Sequence, residues 1–319
     1  MKGKDRTRWD VVVVGGANMD YLVRGTTLPK PGETIEGHTF LASPGGKGAN
    51  QAVAAARLGA RVAFIGRVGR DANGRQLLEQ LNAEGVDTRH VARDKHQPTG
   101  VALIMVEENG QKSILTAPGA NRHLSVTDLH GARETIRNSR VLLVQFEAPL
   151  PVVKAAALLA RQAGARVVLD PAPPVSRPDA SLMSLVHVVR PNAAEAEALT
   201  RIKVHDRATA KRAARRLLQR GVELVAVQGG HAGNLLVWPD GELWLPKLRV
   251  KSIDATGAGD AFVAALAVSL AEGHSISDAG WFANGAAALA TTKLGAQPAL
   301  PRRQAVAALL SRCGLKMSR

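Results

Sequence analysis

The segment Asp254-Ala-Thr-Gly-Ala-Gly-Asp260, followed by Ala261-Phe-Val-Ala-Ala-Leu266, joins a glycine-rich loop to an apolar helical run. Gly257 and Gly259 lack a Cβ, so the backbone there can turn sharply and approach a ligand closely. The helix that follows offers its first N–H groups and the positive end of its dipole to that loop. The segment therefore predicts an anion site suited to phosphate at a helix N-terminus.

Asp260 stands in the first turn of this predicted helix. For the residue alone, a role as a helix cap is as good an interpretation as a catalytic one. The catalytic interpretation gains from the presence of a phosphate cradle within the same turn. Transfer of a phosphoryl group to an alcohol needs donors for the developing charge and a base for the hydroxyl proton.

The rest of the chain alternates short β-branched runs with longer Ala/Leu-rich segments, a pattern typical of βαβ units around a mostly parallel sheet. The predicted strands are Val11–Val14, Arg61–Ile65, Val141–Gln145, Arg166–Leu169 and Leu224–Val227. The predicted helices lie at about 48–58, 73–84, 150–163, 206–220, 259–272 and 277–292. Gly273 separates the last two helices as a C-terminal cap. The fold class is α/β.

Two regions break this alternation. The region Tyr21–Leu41 is rich in Pro and Gly between short β-prone pieces, and Gly100–Pro118 contains two short strands around a Glu108-Asn-Gly110 turn. Together they predict a small antiparallel sheet that projects from the main body. Such an appendage beside a ligand site would act as a lid, and a surface hairpin without a function is the alternative.

Length and composition place the chain among ordinary globular proteins. Its 319 residues suit one large α/β domain or two smaller ones, and 45% are hydrophobic and 22% charged. A single cysteine, Cys313, excludes a disulfide framework and a cysteine-based zinc site. The longest apolar stretch, Ala261–Ala271, falls short of a membrane span, and Met1–Asp10 lacks the apolar core of a secretory signal. We therefore expect a cytoplasmic protein without a membrane partner.

The net charge of +15, from 42 Lys and Arg against 27 Asp and Glu, raises the question of a nucleic-acid partner. A positive field would equally attract an anionic substrate such as a nucleoside triphosphate. The densest basic group has helical spacing beside Leu217 and Leu218 and consists of Lys211, Arg212, Arg215, Arg216 and Arg220. This spacing is typical of the solvent-facing side of an amphipathic helix, and aromatic residues make up only 3%. We expect no nucleic-acid partner.

Two further glycine-rich segments resemble common nucleotide motifs only in part. Pro44-Gly-Gly-Lys-Gly-Ala-Asn50 opens a predicted helix, but Lys47 is followed by Gly rather than by the Ser or Thr of a Walker A loop. Gly15-Gly-Ala-Asn-Met-Asp20 lacks the third glycine of a dinucleotide fingerprint. The two segments instead place small residues and compact polar groups at the ends of strands and helices.

Four polar side chains, three of them in these two segments, are candidates for binding hydroxyls. Asn18, Asp20 and Asn50 supply donors and acceptors of the kind that bind vicinal hydroxyls, although each alone fits a turn or a cap. Glu147 follows a predicted strand, and the carboxyl ends of strands are where open α/β sheets bind ligands. The nine histidines show no metal-ligand spacing.

Two long segments are similar to the signatures of the ribokinase-like (PfkB) sugar kinases. The first is Gly45-Gly-Lys-Gly-Ala-Asn50 with Ala54-Ala-Ala-Arg-Leu-Gly59, and the second is Asp254–Asp260. They stand in the family's order, and the resemblance runs from Val11 to about Pro301. Further segments resemble the members that phosphorylate D-ribose, namely Gly15–Asp20, Lys30-Pro-Gly-Glu-Thr34, Gln145-Phe-Glu-Ala-Pro149, Arg190-Pro-Asn-Ala-Ala-Glu195 and Gly295-Ala-Gln-Pro298.

The resemblance implies a ribokinase-like three-layer α/β/α fold with a mostly parallel central sheet and a small β-sheet lid. It implies one domain over 10–315, lid strands from about 21–41 and 100–118, and a basic N-terminal tail at 1–9. The lid commonly also forms a homodimer contact. The implied reaction transfers the γ-phosphate of ATP to O5 of D-ribose to give D-ribose 5-phosphate, with Mg²⁺ and a monovalent activator, K⁺.

The resemblance also implies roles for individual residues. Asp260 would be the general base, and Gly257, Ala258 and Gly259 would form the anion hole. The sugar would be bound by Asn18, Met19, Asp20, Gly46, Lys47, Gly48, Ala49, Asn50, Glu147 and Asp260. The nucleotide and its Mg²⁺ would be bound by Asn192, Glu195, Gln228, Gly229, Gly230, His231, Ala232, Gly233, Gly259 and Asn284. The monovalent cation would lie at Asp254, Thr256, Ala290, Lys293, Gly295 and Ala299.

Several positions depart from the family pattern, and the glycine pattern after Gln228 is altered at His231-Ala-Gly233. Gln228 stands where Thr is usual, Ala255 also replaces a usual Thr, and Ala299 replaces a common Ser. These departures affect the expected nucleotide and cation contacts, whereas the base and the sugar residues are intact.

Two alternatives stay open. One is a kinase of the same family that acts on another sugar, including 2-deoxyribose, on a sugar phosphate or on a nucleoside. Asn18, Asp20 and Glu147 favour a small uncharged polyol, because a phosphorylated acceptor would call for added Arg or Lys. The other is a nucleic-acid- or sugar-binding protein without catalysis, and the intact Asp260 counts against it.

Overall fold

The computed structural model describes residues 8–175 and 180–315. Within them, nine strands form one large sheet in the order β13-β12-β11-β10-β9-β8-β1-β4-β5. These strands are β1 Trp9–Val14, β4 Val62–Gly69, β5 Asp87–Asp94, β8 Ser139–Gln145, β9 Arg166–Asp170, β10 Val188–Val189, β11 Leu224–Gln228, β12 Gly233–Trp238 and β13 Gly241–Pro246. Pairings from β5 across to β11 are parallel, and β12 and β13 add two antiparallel pairings at one edge. Val11–Val14 are fully buried, as expected for a parallel strand covered on both faces.

Helices cover both faces of this sheet and make the three layers. The described residues contain α1 Lys47–Arg57, α2 Ala72–Ala83, α3 Asp128–Arg137, α4 Leu150–Gln162, α5 Ala180–Met183, α6 Ala193–Thr200, α7 Arg207–Leu218, α8 Ala258–Ala271, α9 Ile276–Ala290, α10 Ala296–Ala299 and α11 Arg303–Arg312. One apolar core joins the sheet to α1, α2, α8, α9 and α11, and a second joins it to α3–α7. None of the helices in the described ranges is long and apolar enough to cross a membrane.

Helix α8 is the most deeply buried element of the first layer. Every residue from Asp260 to Ala271 is buried, because the helix is apolar on all sides and packs against α1, α9 and the sheet. Gly273, with φ of +83°, follows its C-terminus and permits the sharp turn toward α9. This packing fixes the N-terminus of α8 at the edge where the parallel strands end.

Four strands form the separate small sheet, in the order β3-β2-β6-β7. They are β2 Asn18–Gly25, β3 Thr39–Gly45, β6 Gly100–Glu107 and β7 Lys112–Ala117. Their outer pairings are antiparallel and the central pairing of β2 with β6 is parallel, so the sheet is mixed rather than wholly antiparallel. Its inner face buries Leu22, Ala102, Ile104 and Val106. Its outer face exposes large apolar side chains, namely Val23, Phe40, Leu103, Met105 and Leu115.

The five predicted strands and six predicted helices all correspond to observed elements, with ends that differ by a few residues. The basic cluster of α7 lies opposite its buried Ala210, Ala213, Ala214 and Leu217, as its amphipathic spacing predicted. Strand β1 begins at Trp9, one residue before the predicted domain boundary, and residues 1–7 of the predicted tail lie outside the described residues. The sequence pattern did not predict several elements, among them the two-residue strand β10 and the short helix α6.

Candidate active site

The candidate site lies where the carboxyl ends of β1, β8 and β9 meet the N-termini of α1 and α8. Asp170 ends β9, Glu147 follows β8, and Lys47 begins α1. Lys47 links the three elements, because its backbone N–H donates to Glu147 and its Nζ donates to Asp170. This is the edge at which open α/β sheets generally bind ligands.

Asp260 is the carboxylate nearest the α8 N-terminus. Its Oδ2 accepts a hydrogen bond from Asn50 Nδ2 at 3.1 Å, and its Oδ1 accepts one from Gln51 Nε2 at 3.0 Å. The helix cap is Gly257, with φ of +80°, and no side-chain capping bond is made there. Asp260 is therefore oriented by α1 and does not serve as the cap of α8.

Lys47 is surrounded by carboxylates. Its Nζ lies 3.4 Å from Asp170 Oδ2 and 3.8 Å from Asp260 Oδ1, and its backbone N–H donates to Glu147 Oε2 at 2.8 Å. Burial alone would lower the pKa of Lys47, but the surrounding carboxylates outweigh it and raise that pKa above its usual range. The Lys47 side chain is 30% exposed, so a positively charged ammonium is accessible from solvent at this site.

The acidic groups of the cluster hold their protons unusually strongly. Burial, with the neighbouring charges of Glu147 and Asp260, raises the pKa of Asp20 to about 7. Burial likewise raises the pKa of Glu147 to about 7, against the opposing effect of Lys47. Burial and the charge of Asp170 raise the pKa of Asp260. A raised pKa makes a carboxylate a stronger acceptor for the proton of an alcohol.

Asn18 and Asp20 both lie on the inner face of β2, two residues apart. Asn121 Nδ2 donates to Asn18 Oδ1 at 2.8 Å, and Asn121 Oδ1 accepts from the N–H of Ala17 at 2.9 Å. Asn121 thereby fixes the orientation of the Asn18 amide. Met19 stands between the two polar residues on β2 and is almost fully buried.

The glycines of the first signature make room for these side chains. A Cβ on Gly45 would lie 2.0 Å from Asp20 Oδ2, so only glycine accommodates the carboxylate there. Gly46, with φ of +83°, stands before α1, and a Cβ on Gly48 would meet the backbone of Gly15 and Gly16 at 2.7 Å. Ala49 N–H donates to Gly16 O at 3.0 Å. The segment therefore packs the start of α1 tightly against the end of β1.

The predicted nucleotide residues lie around the ends of β10 and β11. Asn192 caps α6, accepting from Glu195 N–H at 2.9 Å, while Glu195 Oε2 accepts from Asn192 N–H at 2.8 Å. This reciprocal capping accounts for both side chains locally. Burial and the charge of Asp170 also raise the pKa of Glu195, which puts that carboxyl beside the acidic cluster.

The segment Gly229–Gly233 continues from Gln228 at the end of β11. Gln228 N–H donates to Pro191 O at 3.1 Å, which ties this segment to the start of α6. Residues Gly230–Ala232 form a short 3₁₀ helix, and the side chain of His231 lies outside the described part of the chain. Asn284 of α9 is buried, donates to Pro246 O at 2.9 Å and accepts from Asn234 Nδ2 at 3.2 Å.

The predicted cation residues come from two loops that are hydrogen-bonded to each other. Asp254 Oδ1 accepts from Thr256 N at 2.9 Å and from Thr256 Oγ1 at 2.6 Å, and its Oδ2 accepts from Gly295 N at 2.9 Å. Ala290, Lys293 and Ala299 lie along the second loop and its flanking helices. No group of three or more His, Cys, Asp or Glu suited to a metal occurs in the described residues.

The sequence analysis did not identify four polar residues of the site, namely Gln51, Asn121, Asp170 and Arg190. Gln51 follows the first signature directly and bridges Asp170 and Asp260, donating to Asp170 Oδ2 at 2.8 Å. Asp170 follows a predicted strand, which is the signal that identified Glu147. Asn121 lies in a 3₁₀ helix and carried no sequence signal.

Comparison with known proteins decides the family. The pfkB family of carbohydrate kinases matches residues 9–303. The chain belongs to this family. The ribokinase of Haemophilus influenzae is 39% identical over 297 residues, covering 93% of this chain and 97% of that protein. The deoxyribokinase of Salmonella typhi is 35% identical over 258 residues, covering 81% and 84% respectively.

Solved structures confirm the ribokinase-like fold predicted from the two signatures. Arabidopsis thaliana ribokinase complexed with ribose and ATP superimposes with a TM-score of 0.85 at 34% identity, covering 95% of this chain and 99% of that one. The agreement extends to the large mostly parallel sheet and the small sheet beside it. The family assigned from the sequence is likewise confirmed.

Proposed function

We propose that this kinase transfers the γ-phosphate of ATP to O5 of D-ribose, giving D-ribose 5-phosphate. The observation that carries the proposal is the buried carboxylate of Asp260, oriented by Asn50 and Gln51 within the first turn of α8. It combines an oriented proton acceptor with a helix N-terminus that favours anions. The relatives at more than 30% identity include ribokinases, and one of their structures holds ribose and ATP.

Asp260 is the general base of the proposed reaction. Its two oxygens are held by two amide donors, which fixes the direction from which a hydroxyl proton can approach. Its raised pKa keeps the carboxyl basic enough to take that proton in the transition state. Gly257, Ala258 and Gly259 supply the N–H groups that stabilise charge on the transferred group, because the first N–H groups of a helix have no acceptor within it.

The acceptor site suits a small polyol. Asn18, Asp20, Lys47, Asn50 and Glu147 converge on it with donors and acceptors, and Asn50 Oδ1 is buried without a hydrogen-bond partner among the described residues. The carboxylates around Lys47 already balance its charge, so a phosphorylated acceptor would meet net repulsion. We therefore favour ribose over a sugar phosphate. The similarity to a deoxyribokinase makes 2-deoxyribose the second candidate acceptor.

For the nucleotide we propose Asn192, Glu195, Gln228–Gly233, Gly259 and Asn284. Glu195 and Asn192 would lie near the triphosphate and its Mg²⁺, which prefers one or two carboxylates together with phosphate oxygens. Mg²⁺ would supply neutralisation of the phosphate charge. K⁺ would be held by the linked loops at Asp254, Thr256, Ala290, Lys293, Gly295 and Ala299, largely through backbone carbonyls.

We also propose that the protein forms a homodimer through the small sheet. The outer face of that sheet exposes five large apolar side chains, with Phe40 66% and Leu115 68% exposed. A contiguous apolar face of this kind favours a protein contact, and a second copy of the same face is self-complementary. A cytoplasmic location, the absence of a nucleic-acid partner and the absence of a membrane partner stay predictions from the sequence.

The test measures ADP release from Mg-ATP with D-ribose, with and without K⁺. Parallel assays use 2-deoxyribose, fructose, fructose 6-phosphate and adenosine as acceptors. We expect K⁺-stimulated turnover that is fastest with ribose. Faster turnover with another acceptor would overturn the choice of sugar, and no turnover with any of the five would overturn the proposed activity.

A further inference from the structure

Arg190 is a buried cation at the N-terminus of α8. It follows β10 directly, and its backbone N–H donates to Leu169 O at 2.9 Å. The residue is only 8% exposed. Its guanidinium stacks over the ring of Phe262 at 5.3 Å, and Nη1 lies 2.9 Å from the position that a Cβ on Gly259 would occupy. Gly259 and Phe262 are three residues apart, so Arg190 packs along one face of the first helical turn.

This guanidinium has no anion to balance it in the described part of the chain. No carboxylate lies within ion-pair distance of it there, and its Nε is buried without a hydrogen-bond partner. Two other partly buried arginines behave differently. Arg57 pairs with Glu84, and Arg67 pairs with both Asp94 and Asp128.

A buried charge without a partner is costly, and proteins normally pair such groups or use them to bind something. A guanidinium is permanently charged and presents up to five donors in a planar fork, which matches two oxygens of a phosphate. The position of Arg190 limits where that anion would lie. It lies against the α8 N-terminus at Gly259, and its charge opposes the raised pKa of the Glu195 carboxyl.

We propose that Arg190 binds phosphate oxygens of the nucleotide and thereby completes the anion site at the N-terminus of α8. The inference rests on the proposed use of a nucleoside triphosphate and adds a cationic residue that the sequence signatures did not assign. Stacking on Phe262 and burial hold the guanidinium in place before the nucleotide arrives, so little reorganisation is needed on binding. As charge develops on the transferred group, the same donors would stabilise it.

The decisive variant is Arg190→Met, which keeps an unbranched side chain against Phe262 and removes the charge and the donors. Calorimetry without sugar would measure the binding of Mg-ATP, Mg-ADP and adenosine to the full chain. Loss of hydrogen bonds to a charged group, at about 1.5–3 kcal/mol, predicts roughly 10- to 150-fold weaker binding of ATP. Adenosine affinity should stay within about twofold, because adenosine carries no phosphate.

A matched control is Arg303→Met. Arg303 stacks on Phe282 at the same 5.3 Å but lies on α11, away from the site. We expect this variant to bind ATP and adenosine as the wild type does. Arg190→Lys, which keeps a charge but not the planar fork, should bind ATP with an intermediate affinity.

Thermal unfolding of the ligand-free proteins separates ligand binding from a structural role. If Arg190 is present for phosphate, Arg190→Met should unfold at the same or a higher temperature than the wild type, because an unpaired buried charge has been removed. The proposal would be overturned if Arg190→Met unfolded at a lower temperature than the wild type and lost affinity for ATP and adenosine equally. Should Arg190→Met fail to fold, that too argues for a structural role, unless Arg190→Lys folds and loses affinity for ATP alone.

Unchanged ATP binding by Arg190→Met would also overturn the proposal. The wild-type measurement keeps this inference apart from the proposed function. Wild-type binding of ATP without ribose turnover would overturn the choice of acceptor and leave the Arg190 test intact. Failure of the wild type to bind any nucleotide would overturn both.

Discussion

Asp260→Asn is the substitution that most directly tests the proposed chemistry, because it keeps the shape of the side chain and removes the proposed base. Both carboxylate oxygens of Asp260 accept from amide groups, Oδ2 from Asn50 and Oδ1 from Gln51. An asparagine has one oxygen, so its NH₂ group would face one of these donors. Leaving one buried donor unsatisfied costs about 1–3 kcal/mol of folding stability. Removal of a buried carboxylate with a raised pKa offsets part of that cost.

The effect on catalysis should be much larger than the effect on binding. Loss of general base catalysis predicts a fall in kcat of about 10²–10⁴, which corresponds to roughly 2.7–5.5 kcal/mol in the barrier. The affinity for ADP should change by less than about threefold, because Asp260 accepts from α1 and not from nucleotide-side elements. Steady-state kinetics with ribose and calorimetry with ADP would measure the two quantities on the same preparation.

Asp170→Asn provides the matched control. Asp170 is as deeply buried as Asp260, shares Gln51 with it and lies 3.4 Å from Lys47 Nζ, so the change removes an equal charge from the same cluster. We expect a fall in kcat of no more than about tenfold for this control. Equal falls in kcat for the two variants would refute the assignment of Asp260 as the base. A loss of ADP affinity in Asp260→Asn as large as its fall in kcat would refute it too.

Three further predictions concern pH, the sugar site and assembly. The pKa of Asp20 rises from 3.8 to about 7 and that of Glu147 from 4.5 to about 7, so the folded chain keeps protons that the unfolded chain releases. The unfolding free energy of the ligand-free protein should therefore fall between about pH 4 and pH 7, by up to about 1.4 kcal/mol per pH unit for each group, and level off above pH 7. Urea titrations of Asp20→Asn should show a smaller slope. Asn121→Ala should raise the KM for ribose more than it lowers kcat, since Asn18 loses its orienting donor, and should cost about 1–3 kcal/mol of stability in the same denaturation assay. Leu115→Glu should give monomers by light scattering with unchanged ADP affinity, and an unaltered mass would contradict the proposed dimer face.

The sequence predicted the family and the main layers because each depends on a local signal. Gly257 and Gly259, for example, predict a sharply turning loop because they lack side chains, and Gly257 has φ of +80° before α8. The same signals could not predict contacts that the fold creates between distant segments. Gln51 meets Asp260 across 209 positions of the chain, and Asn121 meets Asn18 across 103.

Other features could not be predicted from the sequence, because more than one structure fits the local pattern of residues. Asp260 in a first turn fits a cap as well as a base, and only the bonds from α1 show that the cap is Gly257 instead. Arg190 lies in a segment that resembles the ribose kinases, but no local pattern predicts that its guanidinium is buried without a carboxylate beside it. The parallel pairing of β2 with β6 also depends on a long connection that no short motif describes.

Strand β2 carries polar groups of the proposed sugar site on one side and an apolar side chain of the outer sheet face on the other. Asn18, Asp20 and Leu22 point inward, and Val23 is exposed on the opposite face. Because side chains alternate along a strand, inserting or deleting one residue within β2 would exchange the two faces at once. Length changes during the divergence of such chains should therefore accumulate in the connection at 26–38 and in the turn at 108–110, where a change of length leaves both faces of the sheet unchanged.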